Sequence, residues 1–79
     1  MKLRVISPSG EQVEEIEWVE IETPVGNFVI HSGHAPTILT LLPGHDVVYK
    51  RKGDGEQTVT IKAGVIEITR EQAKIICSE

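Results

Sequence analysis

Turn-forming residues divide this sequence into short runs of β-branched residues, and this division restricts the chain to an all-β fold. Turn signals recur at intervals of about eight to twelve residues, the spacing typical of sandwiches and barrels. The clearest is Lys52-Gly53-Asp54-Gly55, which separates two runs suited to a hairpin. Between the turns Val and Ile far outnumber Leu, and side chains branched at Cβ favour strands. The pattern predicts one domain, residues 1–79, folded as a small antiparallel β-sandwich or flattened barrel of about eight to ten short strands.

The stretch 12–23 (QVEEIEWVEIET) fits either a strand or an amphipathic helix. Its first apolar residues recur at every third position, as on a helix face, whereas Val19 and Ile21 alternate with glutamates, as in a strand. We expect a strand, because Pro24 forces an extended conformation on the residue before it. Trp18 is out of phase with Val19 and Ile21, so either a bulge lies near it or its indole points away from the core.

Trp18 is the side chain that most favours a binding surface. The chain has one Trp, one Tyr and one Phe, so a tryptophan out of phase with its core-facing neighbours either fills a bulge or anchors an interface. The glutamates of residues 11–22 are predicted to form a solvated strand edge that discourages edge-to-edge pairing. Ten aliphatic residues that keep the strand phase are expected in the core: Val19, Ile21, Ile30, Leu39, Leu41, Val59, Ile61, Ile66, Ile68 and Ile75.

Charge and composition exclude several classes of function. The formal net charge is −4, which disfavours nucleic acid as a partner because phosphate binding needs a basic surplus. No apolar run approaches the roughly 20 residues that a membrane-spanning helix requires, and we expect no membrane insertion. The single cysteine, Cys77, excludes an internal disulfide and is in phase with Ala73 and Ile75, so it is predicted to be an inert core thiol.

The remaining polar motifs predict no catalysis, metal or cofactor. His31 and His34 flank Ser32-Gly33 in a loop broken by glycine and proline, and no nearby Cys or acid completes a tetrahedral metal site. Ser32, His34 and Asp46 are the residue types of a catalytic triad, but no nucleophile elbow surrounds the serine. The glycines of the 52–55 turn precede no helix that could receive a phosphate, so ATP binding is not expected.

Three spaced motifs resemble the epsilon subunits of ATP synthases. Residues 26–36 (GNFVIHSGHAP) are similar to a family segment that reads Gly-acid-aliphatic-Gly-Ile, two residues, then Gly-His-Ala-Pro, and Gly33-His34-Ala35-Pro36 matches that tetrapeptide throughout. Leu42-Pro43-Gly44 resembles the family's Lys-Pro-Gly turn, and residues 63–68 (AGVIEI) resemble its Gly-Gly-aliphatic-aliphatic-Glu-Val motif. The opening and closing strands, 3–7 and 73–77, also resemble those of the family.

The resemblance implies the β-sandwich domain of an epsilon subunit, which docks on the gamma subunit and on the polar loops of the c-ring. It implies a non-catalytic rotor component that couples proton-driven rotation of the c-ring to the central stalk, held peripherally at the cytoplasmic face of the energy-transducing inner membrane. We expect one partner-binding tip, formed by 26–28 and the loop 32–36 and extended by an outward Trp18. Its predicted residues are Trp18, Gly26, Asn27, Phe28, His31, Ser32, Gly33, His34, Ala35 and Pro36.

The chain departs from the family pattern in three places. The family usually has an acid where Asn27 stands, a glycine where Val29 stands and an aliphatic residue where Asp46 stands. The chain also ends at Ser78-Glu79, where the family's two-helix domain would begin, so the inhibition and ATP binding carried by that domain are not expected of it. These departures leave an alternative function open, a free-standing β-sandwich adaptor for an unrelated protein.

Overall fold

The computed structural model describes residues 1–78 and contains eight β-strands in that range. The strands are β1 (Lys2–Ser7), β2 (Gly10–Thr23), β3 (Gly26–His31), β4 (Thr37–Leu41), β5 (Asp46–Arg51), β6 (Glu56–Thr60), β7 (Ala63–Ile68) and β8 (Gln72–Ser78). Positive φ angles at Gly33 and Gly53 allow the β3–β4 and β5–β6 turns to close. The predicted all-β class and the hairpin at 52–55 are therefore confirmed.

The strands form one continuous, folded-over sheet with the order β4-β7-β8-β1-β2-β5-β6, and β3 pairs separately with β2. Neighbouring strands are antiparallel except β1 and β8, which are parallel. We call the layer of β4, β7, β8, β1 and the first half of β2 sheet A. The second half of β2 with β3, β5 and β6 is sheet B. Because β2 belongs to both layers, the sheet bends along this strand and β2 connects the two layers of the sandwich.

A register irregularity in β2 marks its passage from sheet A to sheet B. Residues 10–15 of β2 pair with β1, and the pairing with β5 shifts between Ile16 and Trp18. Ile16 and Val19 are both buried although they lie three residues apart, which a regular strand of period two does not allow. The strand expected here is confirmed and the helical alternative is wrong, and the bulge that was one of the two alternatives near Trp18 is present.

The core lies between the inner faces of the two sheets. Eight of the ten predicted core residues are buried, while Leu39 and Val59 are only partly buried and pack against the core margin. Cys77 also packs there, as its phase predicts. The prediction missed five buried hydrophobic residues: Leu3, Ile16, Val47, Tyr49 and Ala73.

The prediction that the glutamates of 11–22 line a strand edge holds only for part of β2, because residues 10–15 pair with β1 alone whereas residues 18–20 are paired on both sides, with β3 and β5. Glu14 lies opposite the buried Leu3 and therefore on the inner face. Its carboxylate accepts a short hydrogen bond from the hydroxyl of Tyr49. Arg51 Nε lies 2.6 Å from Glu14 Oε1 and forms an ion pair without aligned hydrogen-bond geometry. Glu14 therefore binds Tyr49 through a hydrogen bond and Arg51 through charge.

Candidate partner-binding surface

The β2–β3 hairpin carries most of the predicted partner-binding residues. β3 runs from Gly26 at the turn to His31 beside the 32–36 loop, so the two predicted segments lie at opposite ends of the strand. Five residue steps of about 3.4 Å separate these ends by about 17 Å. The prediction of a single tip is therefore wrong. A surface that contains both segments must extend along β3, which pairs only with β2 and is an edge of sheet B.

At the turn end, side-chain hydrogen bonds fix the hairpin. The hydroxyl of Thr23 donates to Gly26 O at 2.9 Å and accepts from the amide of Val25 at 3.2 Å. Gly26 has a φ of 130°, which residues with a Cβ rarely adopt. Asn27 lies directly across from Glu22, and its amide Nδ2 donates to Glu22 Oε1 at 2.8 Å. The carboxylate nearest this turn is thus already bound to Asn27.

At the other end, backbone and side-chain bonds hold the loop 32–36 in a defined conformation. The amide of Gly33 donates to Arg70 O at 2.8 Å, and the Arg70 guanidinium donates to Gly33 O at 3.4 Å. His34 is half-buried, and its Nδ1 donates to Ala35 O at 2.7 Å. Thr37 Oγ1 donates to the same carbonyl at 3.0 Å. Arg70, from the β7–β8 turn, holds this loop, and no motif in the sequence indicated that contact.

Trp18 points away from the core, on the outer face of sheet B. Its neighbour Val19 is fully buried on the inner face, whereas the indole is only half-buried. Trp18 lies directly across from His31 of β3 on one side and from Lys50 of β5 on the other. Of the two orientations that the phase of Trp18 allowed, the structure has the outward one. Because His31 directly precedes the 32–36 loop, Trp18 lies across from the end of β3 that leads into this loop.

Phe28 does not belong to the outer surface. It lies directly across from the fully buried Ile21 and packs, partly buried, against the core. Strand alternation places Phe28 on the face opposite Asn27 and Val29, and its part in partner binding stays a prediction. The remaining nine predicted residues lie along β3, in the loop or at Trp18, and seven of them are exposed: Gly26, Asn27, His31, Ser32, Gly33, Ala35 and Pro36.

Ion pairs cover much of the charge around this surface. Lys50 Nζ lies 3.0 Å from Glu17 Oε2, and this hydrogen bond lowers the pKa of Glu17 from its usual range. On sheet A the Arg4 guanidinium likewise lowers the pKa of Glu11 through a hydrogen bond. Burial raises the pKa of Tyr49, and the hydrogen bond to Glu14 and its charge raise it further. These shifts all have local structural causes and do not indicate an active site.

The described residues bring together no catalytic or metal-binding group. Asp46 begins β5, whereas Lys50 of the same strand is level with His31, so Asp46 lies about 13 Å along the strand from Ser32 and His34. These three residues do not form a triad. Within residues 1–78 no cluster of three or more His, Cys, Asp or Glu side chains can hold a metal ion.

A cavity of about 610 Å³ lies at the end of the sandwich away from the 32–36 loop, and its apolar lining includes Val5, Val59, Ile61 and Cys77. Val5, Val59 and Cys77 are partly buried and pack against the core, and Ile61, which follows β6, is buried, so the cavity borders the core. Lys62 lies at its rim. The sequence analysis did not predict this cavity, since a gap between sheets depends on how their ends diverge.

Comparison with known proteins agrees with this architecture. The epsilon chain of the ATP synthase of Staphylococcus haemolyticus is 30% identical over 78 residues, which cover 96% of this chain and 57% of that protein. The corresponding chain of Staphylococcus aureus strain Newman is 27% identical over the same length. The chain therefore spans somewhat more than half the length of these relatives.

Within residues 1–78 no helix has the length and apolar character that a membrane crossing requires.

Solved structures share the fold. A chain in the mitochondrial ATP synthase of Euglena gracilis, a structure that comprises OSCP, F1 and the c-ring, superposes with a TM-score of 0.86 at 19% identity, over 95% of this chain and 48% of that one. A chain from the central stalk and c-ring of the Tetrahymena thermophila mitochondrial ATP synthase superposes with a TM-score of 0.79 at 14% identity, over 100% of this chain and 63% of that one.

The decisive match is to a family model that spans the whole sequence. Residues 1–79 match the family described as "ATP synthase, Delta/Epsilon chain, beta-sandwich domain". All eight strands, Trp18 and the loop 32–36 lie within the matched residues. The chain therefore belongs to the family of ATP synthase delta/epsilon chain β-sandwich domains.

Proposed function

We propose that this chain is a non-catalytic component of the central stalk of an F-type ATP synthase, which joins the gamma subunit to the c-ring and transmits rotation between them. Its place is peripheral, at the cytoplasmic face of the energy-transducing inner membrane. The observation that carries the proposal is the conformation of the loop 32–36, whose backbone is bound on both sides of Gly33 by Arg70. A loop that is already ordered loses little entropy on docking, which suits a permanent subunit contact.

Direct binding to the gamma subunit tests the proposal. The chain and a gamma subunit from the same source are mixed at micromolar concentrations, and complex formation is measured by pull-down and by calorimetric titration. We expect a stable complex. His34→Ala removes the bond to Ala35 O and is expected to weaken binding by about 1–3 kcal/mol, the range of a significant interface residue. His45→Ala, in the distant β4–β5 turn, is the matched control and leaves binding unchanged. Absence of binding by the unmodified chain contradicts the proposal.

The contact with the c-ring is proposed to be weak and dependent on salt. The family's usual acid is replaced by Asn27, and the nearest carboxylate, Glu22, already accepts a hydrogen bond from that side chain. The chain therefore offers the basic loops of the c-ring a reduced charge, and the attraction that remains is screened within about 8–10 Å at physiological ionic strength.

The chain is further proposed to bind no ATP, metal or other cofactor. Calorimetric titration with Mg·ATP is expected to give no heat of binding, because no turn in residues 1–78 precedes a helix that could receive a phosphate. A dissociation constant below about 100 μM, in the range of ordinary substrate affinities, contradicts this part of the proposal.

A second candidate function, an adaptor for an unrelated protein, is favoured by one observation. Val29 stands where the family usually has glycine, and its side chain is 47% exposed on the outer face of sheet B. This adds an apolar contact beside Trp18 that the family pattern lacks. Location of the gene separates the two functions, since a central-stalk subunit is expected beside genes for the catalytic beta and gamma subunits.

A further inference from the structure

The outer face of sheet B carries a carboxylate surrounded by apolar side chains. Glu20 lies directly across from Val29 of β3 and from Val48 of β5, and Trp18 lies two residues away on the same face of β2. Side chains directly opposite each other in a sheet have Cβ atoms about 4.5–5.5 Å apart, so the two valines flank the carboxylate on both neighbouring strands, with Trp18 before it and Glu22 after it on the same face of β2. We call Trp18, Glu20, Val29 and Val48 the outer patch.

Glu20 differs from the other acids of β2 that lie on or near this face. Glu17 is bound to Lys50 at 3.0 Å, and Glu22 is bound to Asn27 at 2.8 Å. Glu20 is half-buried, yet no cation or hydrogen-bond donor side chain among residues 1–78 lies within bonding distance of its carboxylate. The two neighbouring carboxylates are thus bound by side chains of adjacent strands, Glu17 by a cation and Glu22 by a neutral amide, and the central one is left for an external partner.

The neighbours of Glu20 make an external cation favourable. Val29 and Val48 reduce the water around the carboxylate, and an ion pair formed as such a surface is covered is stronger than a fully solvated one. The indole of Trp18 offers its face to a cation held within about 6 Å, and arginine and lysine both use such contacts. The valines supply apolar contact to the aliphatic part of the same side chain.

We propose that the outer patch is a docking site for a protein segment that presents an arginine or lysine next to an apolar side chain, with the cation paired to Glu20 and held against Trp18. The proposal rests on the proposed function in one respect: the segment belongs to the gamma subunit. The surface of contact then extends from the loop 32–36 across His31 to the outer patch, because Trp18 and His31 lie directly opposite each other.

Charge-neutralising variants test the proposal. Binding of the chain to the gamma subunit from the same source is measured by calorimetric titration at 50 mM and 200 mM NaCl, roughly the range over which screening changes strongly. We expect Glu20→Gln to weaken binding about tenfold at low salt and to reduce the dependence of affinity on salt, and Glu20→Lys to weaken it about a hundredfold. Val29→Thr keeps the shape of the side chain and is expected to weaken binding about threefold.

Glu56→Gln is the matched control, since Glu56 is an exposed carboxylate on β6 of the same sheet and undergoes the same change of charge. The affinity of this variant for the gamma subunit is expected to lie within twofold of that of the unmodified chain. Thermal melts verify that every variant is folded. If the unmodified chain binds and Glu20→Gln binds within twofold of it, this inference is wrong and the proposed function stands. If the unmodified chain does not bind, the proposed function fails and the inference fails with it.

Discussion

The inner and outer faces of sheet B are formed by alternate residues of the same strands, and they serve different purposes. On β2, Val19 and Ile21 are fully buried, while Trp18 and Glu20, which alternate with them, are half-buried. The inner face contributes to stability by removing apolar area from water, about 25 cal/mol for each Å². The outer face keeps apolar and charged groups together where a partner can reach them. Residues adjacent in sequence therefore have separable effects on folding and on binding.

The largest expected effect is on the inner face. Ile21→Ala leaves a cavity in a fully buried site and is expected to lower the free energy of unfolding by about 2–5 kcal/mol. A domain of this size has little more than that in total, so the variant should be largely unfolded near 37 °C. Urea unfolding measures the loss. Glu20→Gln, one residue away on the outer face, is the control and should change stability by no more than about 0.5 kcal/mol. Similar losses for both variants would show that the two faces are not separable.

The next largest effect on stability is expected at the core margin, where a polar group on the inner face is covered by the protein. Tyr49→Phe removes the hydroxyl that donates to Glu14 and is expected to cost about 1.5–3 kcal/mol at neutral pH, the range for a bond to a charged group. Burial and Glu14 raise the pKa of Tyr49 in the folded state. The hydroxyl therefore stabilises the fold below pH about 10, and this contribution decreases as the pH rises further, since the unfolded chain loses the proton first.

Unfolding measured from pH 8 to pH 11 checks this pH dependence. The unmodified chain should lose stability more steeply above pH 10 than Tyr49→Phe. Equal slopes for the two proteins would mean that Tyr49 ionises as readily in the folded chain as in the unfolded chain.

On the outer face the effect is expected on binding and not on folding. Trp18→Ala should weaken binding to the gamma subunit by about 1–3 kcal/mol, because a large aromatic side chain at an interface is often an energetic anchor. Its melting temperature should fall by only a few degrees, since about 1 kcal/mol shifts the midpoint of a domain this size by about 4–8 °C. Calorimetric titration and a thermal melt of the same sample measure the two effects. A variant that fails to fold would place Trp18 among the structural residues.

The smallest expected effects are on binding and on stability, and both arise at Asn27. Asn27→Asp restores the acid that the family usually has and should strengthen binding to the c-ring at low salt by less than about 1 kcal/mol. It also replaces the bond to Glu22 by two carboxylates directly opposite each other, which costs about 0.2–1 kcal/mol of stability. The double variant with Glu22→Gln should keep the binding gain and recover the stability. If the double variant is no more stable than Asn27→Asp, the cross-strand repulsion is not the cause.

Strand periodicity and turn residues were enough to predict the fold class, most of the core and the bulge near Trp18. Burial of Tyr49 and inward placement of Glu14 were not predictable, because each depends on a partner from a strand distant in sequence. The candidate surface was predicted in part. Gly26 and the loop 32–36 are close in sequence because only the short strand β3 connects them. The extended length of β3 nevertheless places them at its opposite ends. The direction in which Trp18 points could be assigned only from the pairing of β2 with β3 and β5.

The parallel pairing of β1 with β8 has a consequence for the order in which the chain can fold. Lys2–Ile6 are hydrogen-bonded to Gln72–Ile76, so the centre of sheet A joins two strands whose paired residues are 70 positions apart in sequence. The strands of sheet B, in contrast, come from residues 16–60 and are joined by hairpins and short connections. Closing a long loop costs entropy that only later contacts offset, so pairings distant in sequence form slowly. During synthesis, sheet B can therefore assemble first, with its apolar inner face uncovered until β7 and β8 have left the ribosome.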